Sequence, residues 1–267
     1  MSNTKATITV LLTLLVTTAT FSQSRDAFDT KTTFQVGNHW AFTMVPSISN
    51  RKHSIPWVWY APTLGEGLPG QHERWMFNML HSRGIAIAGI DVGESYGSPA
   101  GAAAFDDLYA ELTTNRQFAQ APVLLGRSRG GLMLYSWAVR NPQNVAAIAG
   151  IYPVCNLVSY PGVTAAAPAF DLTAEKLQLE LNSLNPIEML EPLANAEIPI
   201  FHIHGDMDTV VPLESNSALL AKRIHSMGGD ATIKIIKGQG HNLWPGWFND
   251  RSLTSFMIKH AKLSVRR

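Results

Sequence analysis

Gly126-Arg127-Ser128-Arg129-Gly130 follows the apolar run Val123-Leu124-Leu125 and precedes a helix-patterned stretch over 132–140. A strand, a sharp turn bearing a serine and an immediate helix together lift a serine hydroxyl out of the end of a sheet. That hydroxyl is a weak nucleophile at neutral pH, so it needs a base within hydrogen-bond reach and a group that orients the base. Two later segments bring both residue types in the chain order Ser, Asp, His that such a turn predicts. They are His204-Gly205-Asp206-Met207-Asp208-Thr209-Val210-Val211-Pro212 and Gly238-Gln239-Gly240-His241.

Gly93-Glu94-Ser95-Tyr96-Gly97 fits the same G-x-S-x-G pattern and also follows an apolar stretch. It differs in what comes next. Pro99 disfavours a helical residue before it, whereas a nucleophile turn needs its helix to begin at once. Ser128 is therefore the expected nucleophile.

Apolar segments alternate with helical patterns along the chain, as in a parallel sheet covered on both faces. Strands are expected at 40–45, 55–60, 85–92, 122–125, 145–152, 199–204 and 231–236, several of them continuously apolar. Helices are expected at 73–82, 100–114, 130–141, 174–184, 213–227 and 249–262. Together with the three motif segments, this pattern resembles the α/β-hydrolase superfamily over nearly all of the chain beyond residue 22. The resemblance implies an α/β fold with a mostly parallel central sheet over 37–267, after an extension at 23–36. It also implies a short cap or rim at about 153–197, where related chains carry insertions.

The same resemblance assigns roles. Ser128 would be the nucleophile, His241 the base and Asp208 the acid, since the acid lies three residues before a Val-Pro that opens a helix. Asp206 would instead bond loop amides. An oxyanion hole would use the backbone N–H of Arg129 and that of Thr63 or Leu64, because Pro62 has no N–H to offer. Arg127 and Arg129 flank the serine, and a guanidinium there is costly to desolvate without an anion or strong acceptors. Either an arginine holds a substrate carboxylate, or Glu94, Glu66 or Asp91 pairs with it to brace the loops. The Ser-Arg pair resembles the Gly-Cys-Ser-Arg-x-Gly turn of glucuronoyl esterases, with Arg127 in place of the cysteine. Trp244 and Trp247 follow the base and are candidates for stacking on sugar rings, or for packing behind the histidine loop.

The 267 residues carry a net charge of +1 and are 46% hydrophobic, which suits a single globular domain and argues against a nucleic-acid surface. Lys5, an apolar run over 6–16 and a small, polar stretch over 17–24 read as a secretory leader at 1–22. The run is too short to span a bilayer, so no stable membrane anchor is expected. Cys155 is the single cysteine, expected as a buried hydrophobe rather than half of a disulfide.

Three other readings compete. His202-x-His204 puts two imidazoles on one face of a strand and partly resembles a zinc-hydrolase motif. The acid and histidine segments also resemble prolyl oligopeptidases, which carry a large propeller that 267 residues do not accommodate. A carbohydrate-binding module on a hydrolase scaffold is the non-enzymatic alternative. The sequence favours a secreted or periplasmic serine ester hydrolase without metal or organic cofactor. Its expected substrate is a small-molecule or polysaccharide ester (acetyl, feruloyl or uronoyl).

Overall fold

The computed structural model describes residues 26–47, 54–62, 65 and 68–265. The expected leader and both candidate oxyanion residues Thr63 and Leu64 lie outside the described residues. Eight strands form one sheet: β1 (Lys31–Val36), β2 (His39–Met44), β3 (Trp57–Ala61), β4 (Ala86–Ile90), β5 (Val123–Arg127), β6 (Ala147–Ile151), β7 (Ile200–Gly205) and β8 (Ala231–Ile236). Their order is β1-β2-β4-β3-β5-β6-β7-β8. β2 pairs antiparallel with β1 and β4, and every other pairing is parallel.

The helices are α1 (Arg74–His81), α2 (Pro99–Ala110), α3 (Gly130–Ala138), four short helices α4 (Val163–Ala166), α5 (Ala174–Leu179), α6 (Leu181–Leu184) and α7 (Glu191–Asn195), then α8 (Ser217–Ser226) and α9 (Arg251–Ser264). β3 shows how the layers form. Side chains alternate across a strand, so Trp57 and Trp59 join one core with Phe105 of α2, Trp137 of α3 and Ile224 of α8. Val58 and Tyr60 join the opposite core with Phe77 of α1 and Met257 of α9. β3, β4 and β6 are buried along their whole length, which is why they read as unbroken apolar runs.

Three boundaries depart from the sequence reading. Residues 31–36, expected as part of an extension, form the edge strand β1. An edge strand with mostly exposed side chains carries no apolar signal, and only Val36 is buried. The helix expected over 174–184 breaks at Glu180 (φ −103°, ψ 11°) into α5 and α6. Of these two only Leu177 is buried, so packing does not hold one continuous helix. The helix expected from 213 begins at Ser217, because Asn216 turns away to accept the Cys155 N–H at 3.0 Å. Cys155 itself is buried and unpaired, and burial pushes its thiol up.

The segment over 153–197, expected as a short cap or rim, consists of loops and short helical elements. Its Leu157, Ala166, Phe170 and Leu177 pack on Leu132 at the start of α3 and on Val211. It thereby buttresses the serine turn and the acid loop from one side.

Glycines fix the geometry where β5 meets α3. A Cβ on Gly130 would lie 1.6 Å from the Ala61 carbonyl oxygen, and one on Gly131 would lie 2.4 Å from that of Val154. Alanine at a helix position ordinarily gains about 1 kcal/mol over glycine. A backbone clash of this depth outweighs that gain, so Gly130→Ala is expected to destabilise the fold by roughly 3 kcal/mol. Urea denaturation of the two proteins would measure it; equal midpoints would show that the turn tolerates a side chain.

Candidate active site

Ser128 stands at the top of β5 with φ +51°, a conformation that non-glycine residues adopt at a cost. The surroundings hold it there: its N–H donates to the Ile151 carbonyl (3.1 Å), and its own carbonyl accepts from Gly131 (2.9 Å) and Val154 (2.9 Å). Ser95 has a different setting. It is buried against Gly101, its hydroxyl has no hydrogen-bond partner among the described residues, and α2 starts only at Pro99 after the Ser98 cap.

The Ser128 Oγ lies 2.8 Å from His241 Nε2, and His241 Nδ1 lies 2.8 Å from Asp208 Oδ2. Three segments far apart in sequence thus meet in one hydrogen-bonded row. Asp208 Oδ1 accepts from the N–H groups of Val210 (3.0 Å) and Val211 (2.8 Å). Burial works to raise the Asp208 pKa, but the imidazoles of His204 and His241 and the Val211 N–H outweigh it and hold the carboxyl well below the usual range. A carboxylate in this state keeps the His241 Nδ1 proton in place, leaving Nε2 free to take one from Ser128. Asp206 does not join the row. Its Oδ1 accepts the Gly238 N–H at 2.7 Å, tying the acid loop to the histidine loop, so the amide it bonds is a distant one.

An open cleft of about 370 Å³ lies over the serine, lined by Pro62, Leu68, His72, Arg127, Ser128, Arg129, Tyr152, His241, Asn242 and Leu243. No residue of the rim over 153–197 lines it. The backbone N–H of Arg129, at the start of α3, has no partner among the described residues and so is available to a developing oxyanion.

The two arginines are anchored differently. Arg127 Nη1 donates to Glu73 Oε1 at 3.0 Å and Nε to the Tyr152 hydroxyl at 3.2 Å. Glu73 is wholly buried and also accepts from the Tyr60 hydroxyl (2.7 Å) and the Gly70 N–H (2.8 Å), so its charge is fully satisfied. Arg129 pairs with Glu94 in a half-exposed salt bridge. Bracing by carboxylates is therefore the arrangement at both positions. Glu94 is the partner foreseen for one of them, while Arg127 takes Glu73.

The tryptophans separate. Trp247 is 1% exposed, packs edge-on against Tyr152 and donates its indole N–H to Asn242 Oδ1 at 3.0 Å. It supports the histidine loop from behind, which corrects the expectation that it touches substrate. Trp244 is 39% exposed, follows the cleft-lining Leu243 in sequence and packs edge-on against Trp247, but does not itself line the cleft. Trp57, Trp59 and Tyr60 are core, as read from sequence.

Sequence reasoning missed Glu73, Tyr152, Leu68 and His72. Glu73 looks like an ordinary acid in a helix's first turn, and nothing local shows that β3 and β5 will bury it. Tyr152 directly follows β6, and its ring lies 4.4 Å from that of His241. Burial keeps its hydroxyl protonated, so it donates to the Asn242 carbonyl (3.3 Å) while accepting from Arg127.

His202 and His204 do share one face of β7, but their ring nitrogens bond Tyr135, Ser217 and the Val211 carbonyl. Among the described residues no group of three metal-ligating side chains is clustered. The strand spacing here builds a hydrogen-bond network and no ligand set.

A sheet in this order, with a positive-φ serine between β5 and α3 and a His–Asp pair behind it, defines an α/β-hydrolase. The chain belongs to the prolyl oligopeptidase family, whose model matches residues 79–260. No curated protein matches it in sequence. Among solved structures it is similar to an S-formylglutathione hydrolase from Agrobacterium tumefaciens (16% identity, 89% of this chain and 93% of that one, TM-score 0.65). It is also similar to a puromycin-hydrolysing peptidase from Mycobacterium tuberculosis (14% identity, 88% and 39%, TM-score 0.68). A third is the acylaminoacyl peptidase of Pyrococcus horikoshii (17% identity, 88% and 40%, TM-score 0.61). The chain thus spans about two fifths of each of these peptidases. At such identities the likeness is one of fold.

Proposed function

We propose that the protein hydrolyses carboxylic esters through an acyl-enzyme on Ser128, with His241 as general base and then acid, and Asp208 fixing the imidazole. The observation that carries this reading is the Ser128–His241–Asp208 row, with both links at 2.8 Å, opening directly into the cleft. In the first step Ser128 Oγ bonds to the acyl carbon while its proton passes to His241 Nε2. The Arg129 N–H stabilises the oxyanion, and the alcohol departs with the proton from His241. Water, deprotonated by the same imidazole, then releases the acid.

Esters rather than peptides are favoured by the open cleft, which no residue over 153–197 lines, and by the S-formylglutathione hydrolase neighbour, matched over 93% of its own length. Carbohydrate-linked esters are the preferred class. Supporting this are the half-exposed Trp244, next to the cleft-lining Leu243, and the Ser128-Arg129 pair, which resembles part of the glucuronoyl esterase turn. Secretion or export to the periplasm rests on the leader-like residues 1–22. A peptidase is the second reading, favoured by the family match.

A panel of acetylated sugars, feruloyl esters, methyl glucuronate and aminoacyl-peptide amides decides between them. Turnover of one ester class, with amides at least about 100-fold slower in kcat/KM, is the expected result. Faster cleavage of the amides would make the protein a peptidase.

A further inference from the structure

Behind the acid runs a row of polar groups that the reaction itself does not use. The Tyr135 hydroxyl, in α3, lies 2.7 Å from His202 Nε2, and His202 Nδ1 lies 2.9 Å from Ser217 Oγ. Ser217 Oγ lies 2.8 Å from His204 Nδ1, and His204 Nε2 lies 2.8 Å from the Val211 carbonyl oxygen. All five residues are at most 1% exposed, so water cannot replace any link.

One assignment of protons fills every bond without charging either ring. The Val211 carbonyl can only accept, so His204 Nε2 carries the hydrogen and His204 Nδ1 is an acceptor. Ser217 therefore donates to His204, and its oxygen accepts from His202 Nδ1–H. His202 Nε2 is then left to accept from Tyr135. Burial pulls the His202 pKa down to about 3, in keeping with a neutral ring. The row thus runs one way, from the helix that starts at the nucleophile to the loop that bears the acid.

Its end point gives it a consequence. Val211 is held at both poles: its carbonyl by His204, and its N–H by Asp208 Oδ1 at 2.8 Å. The His204 ring also faces Asp208 Oδ2 at 3.6 Å, too far for a good hydrogen bond but close enough to act through its dipole. We propose that His204 is a positioning residue for Asp208, and that the Tyr135–His202–Ser217–His204–Val211 row sets the acid loop in register with the serine-bearing helix. The proposal rests on the reading of Ser128, His241 and Asp208 as the reacting set.

The test uses Ser217→Ala, which cuts the row at its centre, and Tyr135→Phe, which removes only its first donor. The readouts are the low-field proton resonance of the His241–Asp208 hydrogen bond, recorded without substrate, and kcat and KM on the best ester. A shifted or broadened resonance is expected in both variants. In Ser217→Ala, kcat should fall roughly tenfold or more while KM stays within about twofold, because misplacement of the acid affects the transition state. An unchanged resonance and kcat in folded protein would overturn the proposal. If Ser217→Ala does not fold, Tyr135→Phe decides on the same two readouts. Should Ser128→Ala stay fully active, the reading of the reacting set fails. Should Ser128→Ala be inactive while the row variants match wild type, only the positioning claim fails.

Discussion

Ser128→Ala is expected to lower kcat on any ester substrate by about a million-fold, and His241→Ala by a similar factor. Both losses have one cause. Oγ supplies the bond to the acyl carbon, and Nε2, 2.8 Å away, is the group placed to accept its proton. Because the two act as a unit, the double variant should be no worse than either single one. Folding should survive, since Ser128 is held by its backbone bonds to Ile151, Gly131 and Val154. Initial-rate assays on variants with wild-type melting curves would measure the effect. A Ser128→Ala enzyme retaining even one tenth of wild-type kcat would rule out the acyl-enzyme.

Asp208→Asn is expected to cost about ten-thousand-fold in kcat, while Asp206→Asn should cost little. An amide at 208 keeps an acceptor for the Val210 and Val211 N–H groups. Toward His241 Nδ1 it would present an NH₂ donor, which favours the wrong imidazole tautomer. At 206 the single bond is accepted by Oδ1 from the Gly238 N–H, and an asparagine oxygen can still accept it. The reverse pattern of losses would make Asp206 the acid. Stability should respond too. The folded Asp208 pKa is depressed, so its stabilisation is present above the unfolded carboxylate value of about 3.9 and is lost as pH falls below it. Asp208→Asn should therefore flatten the acid limb of a stability profile measured between pH 7 and pH 3.

Much of this site was legible in the residues because its geometry is locally determined. A serine forced to positive φ between a strand and a helix needs glycines at 126, 130 and 131, and those glycines are visible in the string. The acid and base follow strands β7 and β8, so sequence order and strand pattern locate them together. What stayed hidden depends on contacts across the fold. Nothing near Glu73 announces that it will be buried beneath Arg127, 54 residues away. Trp247 could have faced solvent or core with equal local justification, and its indole N–H on Asn242 settles it as support for the histidine loop. β1 lacked a signal because an edge strand with exposed faces has no need of apolar residues. The His202-x-His204 pair shows the limit most clearly. Strand periodicity placed both rings on one face, but the Tyr135 and Ser217 that engage them come from two other helices.

Fluorophosphonate labelling, with the modified peptide located by mass spectrometry, tests the central claim most directly. A single adduct on Ser128, absent in His241→Ala and slowed in Asp208→Asn, is the predicted result. Labelling at another serine, Ser95 included, or no adduct in a sample that melts cooperatively, would contradict the account.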